Sequence, residues 1–100
     1  MHYRFRLLVE VSGPRPPAGA VIDHIWGRGV DVDSDGDSRS PEDREWTDLW
    51  VAKRPECTEI VSVLPDSESP LVLAVESDSI ELAQRVAVFI AQEANGRIVS

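Results

Sequence analysis

Asp31, Asp33, Asp35 and Asp37 alternate with small residues in the run Asp31-Val32-Asp33-Ser34-Asp35-Gly36-Asp37, and Glu42 follows. This spacing fits the calcium-loop pattern D-x-D-x-D-G-x5-E. There, alternating carboxylates, a Gly at the sixth position and an acid at the twelfth wrap an ion that takes about six to eight oxygens. Four features depart from it. Ser38 occupies the eighth position, where an apolar residue is usual. Arg39 occupies the ninth, where a ligand or a water-holding residue is usual. Gly27 stops the preceding helical pattern before the loop begins, and no second loop follows as a mate. The simpler reading is an acidic connector without a metal. Ca2+ or small-ligand binding through Asp31–Glu42, in a regulatory module, is the alternative.

Other reactive side chains are scattered. His24 follows Asp23 in a helical stretch, and His2 lies at a terminus. Cys57 lies in the Pro55-Glu56-Cys57-Thr58 turn with only Arg54 nearby to favour its thiolate. The chain has no G-x-S-x-G, phosphate-binding loop, dinucleotide loop or H-E-x-x-H. A non-enzymatic protein without catalytic residues or cofactors is therefore expected.

The remaining recognition signal is aromatic. Three tryptophans in 100 residues exceed what a small core needs. Trp46 and Trp50 are an even number of residues apart. On a strand they share a face, opposite Leu49 and Val51. That face would be the open side of the sheet, shared with Arg4 and Arg6. Trp and Arg are enriched in binding hot spots, so Trp46 and Trp50 join Asp31, Asp33, Asp35 and Asp37 as the expected partner-binding residues.

Charge narrows the partner. The chain carries a net charge of -8, with 42% hydrophobic and 28% charged residues. Residues 31–48 hold eight acids against Arg39 and Arg44, a balance of -6. Such a segment repels phosphate backbones, which argues against direct nucleic-acid binding, and attracts basic proteins. No run reaches the ~18 apolar residues of a membrane span. The first residues do not read as a secretory leader, and one cysteine forms no internal disulfide. A cytoplasmic location is expected.

The length suits one α+β domain spanning residues 1–100. Tyr3, Phe5, Leu7, Val9 and Val11 alternate with Arg4, Arg6 and Glu10, Leu8 being the exception, as a half-buried strand does. Gly13, Pro14, Pro16 and Pro17 then turn the chain. Ala18, Val21, Ile22, Ile25 and Trp26 keep helical spacing until Gly27 and Gly29. Nothing apolar lies between Val32 and Trp46, so residues 30–45 are expected to form a solvated, flexible loop. Trp46–Lys53, Thr58–Leu64 and Leu71–Ser77 read as strands. Ser40-Pro41 also makes a helix start, which leaves 41–53 open between helix and strand. Asp78 is expected to cap a helix through Leu82, Val86 and Ile90, closed by Asn95-Gly96 and followed by a short strand. The order β-α-β-β-β-α-β predicts a two-layer sandwich, a largely antiparallel sheet with two helices on one face. The ferredoxin-like plan is the nearest arrangement.

Leu71–Ser77, Glu81-Leu82-Ala83 to Phe89-Ile90-Ala91, Asn95-Gly96-Arg97-Ile98-Val99 and the Trp46-x-x-Leu49-Trp50-Val51 run together resemble small immunity proteins of bacterial polymorphic toxin systems. The resemblance is a pattern of apolar residues and a glycine across about half of the chain. It implies a cytoplasmic single-domain protein that binds and blocks a cognate toxin. It assigns no individual residue, and the Asp-rich segment lies outside it. The joint expectation is an inhibitor, monomeric or homodimeric, that occludes a basic active site. Its Asp31–Asp37 segment would imitate a substrate's negative charge. Assembly through an exposed sheet edge is a third possibility.

Overall fold

The computed structural model describes residues 3–99. Its elements are β1 (Phe5–Glu10), α1 (Ala18–Trp26), β2 (Val32–Gly36), β3 (Leu49–Lys53), β4 (Ile60–Glu68), β5 (Leu71–Ser77), α2 (Ile80–Glu93) and β6 (Arg97–Ile98). All six strands join one antiparallel sheet in the order β2-β3-β4-β5-β1-β6. The α+β, two-layer expectation holds, but the ferredoxin-like order does not. The segment expected to be loop supplies an additional strand, β2, which extends the sheet beyond β3.

One face carries the core. Leu49 and Val51, Val61 and Val63, Leu73 and Val75, and Val9 point to the same side at period two. There they meet Val21 and Ile25 of α1 and Leu82, Val86 and Ile90 of α2. Ser79, rather than Asp78, caps α2, accepting from the Leu82 N–H at 3.3 Å. Asp78 instead accepts from the Arg4 N–H, fixing the start of β1. Asn95 takes the left-handed conformation at the end of α2, with φ of 51°. Arg85 crosses between the helices and donates to the Ile25 carbonyl at the free end of α1.

Residues 32–36 of the expected loop are strand, and residues 37–48 close the β2–β3 hairpin. Before Trp46 this connection carries no large apolar side chain, and hydrogen bonds tie it to the rest of the fold. Pro17 precedes α1 and offers no side-chain cap. The orphan N–H groups of Ala18 and Gly19 donate instead to the carbonyls of Asp43 and Pro41, at 3.2 and 2.8 Å. The Asp43 carboxylate accepts from the Glu45 and Arg39 N–H groups. Trp46 anchors the far end. It is 0% exposed, its indole N–H donates to the Pro16 carbonyl, and its own carbonyl accepts from the buried Arg15 Nε. Trp46 is neither strand nor helix, and β3 begins at Leu49.

Gly36 is required where β2 enters this connection. A Cβ there would lie 2.1 Å from the Asp48 carbonyl oxygen, and φ is +135°. The glycine that suggested a calcium loop thus serves a close approach between two strands.

A candidate acidic recognition surface

The β2–β3 register pairs Asp33 with Ala52, Asp35 with Trp50, and Gly36 with Leu49. Leu49 faces the helices, so Trp50, Asp33 and Asp35 face the uncovered side of the sheet. Continuing the pairing across β4, β5 and β1 gives one row: Asp35, Trp50, Ser62, Glu76, Arg6. The expectation that Trp50 and Arg6 share the open face is met by this register. Arg6 is engaged there by Asp66 and by Glu76.

Asp35, Asp37, Asp48, Thr47, Trp50 and Pro65 enclose a hollow of about 360 Å3 at this end of the sheet. Trp50 is half-buried, and its indole N–H donates to the Tyr3 hydroxyl at 3.3 Å. Asp37 is fixed by its acceptor bonds. Its carboxylate receives the Thr47 N–H, the Asp48 N–H and the Thr47 hydroxyl at 2.8, 3.0 and 2.7 Å. Burial raises its pKa, but the Thr47 hydroxyl and the Asp48 and Thr47 N–H groups more than offset this and hold it below the usual aspartate value. Asp48 has the opposite balance. Burial, then the charges of Asp37 and Asp35, push its pKa up. The hollow therefore concentrates like charge and favours whatever brings a cation to it.

The expected site residues separate accordingly. Asp35, Asp37 and Trp50 come together. Asp33 lies further along β2, 3.7 Å from the Arg54 guanidinium, and Asp31 is exposed just before the strand, its carbonyl accepting from Arg54 N–H. Trp46 does not belong to the surface. It is wholly buried on the α1 side, because the chain between β2 and β3 must be anchored and the tryptophan is the only large apolar residue there. Asp48 and Thr47 escaped sequence reasoning, although Asp48 lies two residues before Trp50 and so shares its face.

Calcium coordination through Asp31–Glu42 is not supported. Ligands at alternate positions must converge on one point, whereas here residues 32–36 are extended and successive carboxylates are spread along a strand. Asp37 is already occupied by three donors. Among the described residues, no group of three or more His, Cys, Asp or Glu side chains is placed to hold a metal ion. No described helix is long and apolar enough to cross a membrane.

No protein-family model matches this chain, and no match is found among curated proteins or solved structures.

Proposed function

We propose that the protein is a non-catalytic inhibitor that binds a cationic surface of another protein. The apolar pattern resembling immunity proteins suggests a cognate toxin whose basic active site is covered. The observation that carries this reading is the hollow itself: three aspartates, one of them made harder to ionise by burial and then by the charges of the other two, beside a half-buried tryptophan. Such an arrangement is unfavourable alone and is relieved by lysine or arginine from a partner. Trp50 supplies a preformed aromatic contact of the kind that anchors interfaces. The carboxylates lie on strands and on a hydrogen-bonded turn, so little ordering entropy is lost on binding.

The test is co-expression with a toxin-like protein encoded beside this one. Growth should be restored by the wild type, and a stable complex should be recovered. Asp35→Asn with Asp48→Asn should slow association and reduce its dependence on salt. Absence of such a neighbour, failure to restore growth, or unchanged association kinetics overturns the reading.

A further inference from the structure

The sheet ends on two unpaired edges, and β2 is the longer one, with five residues against two in β6. Its backbone polarity follows from its pairing. The Arg54 N–H donates to the Asp31 carbonyl and the Asp37 N–H to the Asp48 carbonyl, each at 3.0 Å. In an antiparallel ladder, bonded residues alternate. Asp31, Asp33, Asp35 and Asp37 therefore direct their main-chain groups inward to β3. Val32 and Ser34 direct theirs outward, where they meet no partner among the described residues. The Gly36 N–H is closed off by the Asp35 carboxylate at 2.8 Å.

A groove of about 190 Å3 lies on the helix side of this edge, lined by Ser34 of β2, Leu49 of β3, Gly19 and Ile22 of α1, and Ser38 and Pro41 of the connection. An unpaired strand next to a helix-walled groove is the arrangement in which extended peptides add to sheets. We propose that β2 receives an extended, lysine- or arginine-bearing segment of the partner protein as an added strand, whose side chains opposite Val32 and Ser34 turn toward this groove. The inference rests on the basic-partner reading and specifies how that partner is held.

Charge selects the occupant. A second copy of this chain would set aspartate opposite aspartate, and like charges directly opposite destabilise a pair of strands. A strand with cations at alternate positions sets them opposite Asp33 and Asp35, while its intervening residues bond to Val32 and Ser34. Arg54, beside Asp33, Lys53, paired with Val32, and Arg39, which lines the groove, are cations near this edge.

The probe is acetyl-Lys-Thr-Lys-Thr-Lys-Thr-Lys-amide, compared with the same peptide N-methylated at its threonines. Methylation leaves the charge unchanged and removes the donors facing Val32 and Ser34. The unmodified peptide should slow hydrogen exchange at the Val32 and Ser34 amides. The methylated one should bind at least about tenfold more weakly, as expected for loss of two or more backbone hydrogen bonds. Ser34→Pro should abolish the difference, and Arg39→Ser should tighten binding of the unmodified peptide. Equal binding of the two peptides, perturbation confined to the Trp50 hollow, or binding by neither overturns strand addition. Growth restored by co-expression would still stand in any of these cases, so the broader reading fails or survives on its own assay.

Discussion

Asp33 and Asp37 are four residues apart in one acidic run and have opposite relations to the fold. Asp33 is exposed on β2, with Arg54 at 3.7 Å as its charged neighbour. Asp37 accepts three hydrogen bonds and closes the β2–β3 hairpin. Asp33 and Asp35 display charge, whereas the carboxylates of Asp37 and Asp43 accept the N–H groups that hold the connection. An acidic stretch is thus not one object, and its net charge alone does not say how much is free to meet a partner. Removing all four alternate aspartates would confuse the two roles, so the substitutions must be divided.

The anchored half should break most severely. Trp46→Ala empties a fully buried site and removes the indole N–H that donates to the Pro16 carbonyl, while the bond from Arg15 Nε to the main-chain carbonyl of residue 46 is kept. A loss of about 3–5 kcal/mol is expected, read by chemical denaturation. If β2 and the connection are tethered by this residue, the loss should be accompanied by faster exchange at the Asp37 and Thr47 amides. A loss below about 1 kcal/mol, the range of ordinary surface positions, would show that the tryptophan is not the anchor. Gly36→Ala comes next. Its new methyl group meets the Asp48 carbonyl, a backbone atom that cannot rotate away. A cost of about 1–3 kcal/mol is expected, with loss of the Asp37–Asp48 pairing seen in the amide spectrum.

Asp37→Asn tests the hydrogen-bonded turn, at an expected cost of about 1–2 kcal/mol at neutral pH. The pH dependence has a definite sign. The pKa values of Asp37 and Asp43 are below the usual aspartate value in the folded protein, Asp43 through the Glu45 and Arg39 N–H groups. Such groups contribute stability that is present above the unfolded-state pKa and is lost as the pH falls through the folded one. Wild type should therefore lose stability on acidification below the usual aspartate range, and Asp37→Asn should lose less over the same interval. Parallel curves would remove Asp37 from the account.

The C-terminal half was legible in sequence because its determinants are local. Leu71–Ser77 forms the expected strand, and Leu82, Val86 and Ile90 define the buried face of α2. Residues 30–45 are not legible in the sequence because their determinants are distant. Main-chain acceptors at Pro41 and Asp43 serve a helix more than 20 residues earlier in the chain. The Gly36 contact with Asp48 is equally invisible to periodicity. The same limit applied to the site. Period two holds for Trp50 but not for Trp46, which precedes the start of β3. The calcium spacing was real in composition, yet the strand pairing of β2 with β3 spread the carboxylates along a line.

Asp48→Asn is the mildest change and separates function from stability most sharply. No side-chain hydrogen bond holds the Asp48 carboxylate among the described residues, and burial together with Asp37 and Asp35 raises its pKa. For an acid raised in the folded state the linkage is reversed. The ionised side chain lowers stability as pH rises through the folded pKa, and protonation recovers it. The amide should therefore stabilise the fold at neutral pH by a few tenths to about 1 kcal/mol, a gain that disappears on acidification and shrinks with salt. Affinity for a cationic partner should fall in the same variant, because the charge that strains the free protein is the one the partner neutralises. A gain in stability with a loss of binding is the signature of a site kept at some cost to the fold. Asp48→Asn that destabilises the protein, or that stabilises it with unchanged binding, would separate the charge of the hollow from recognition.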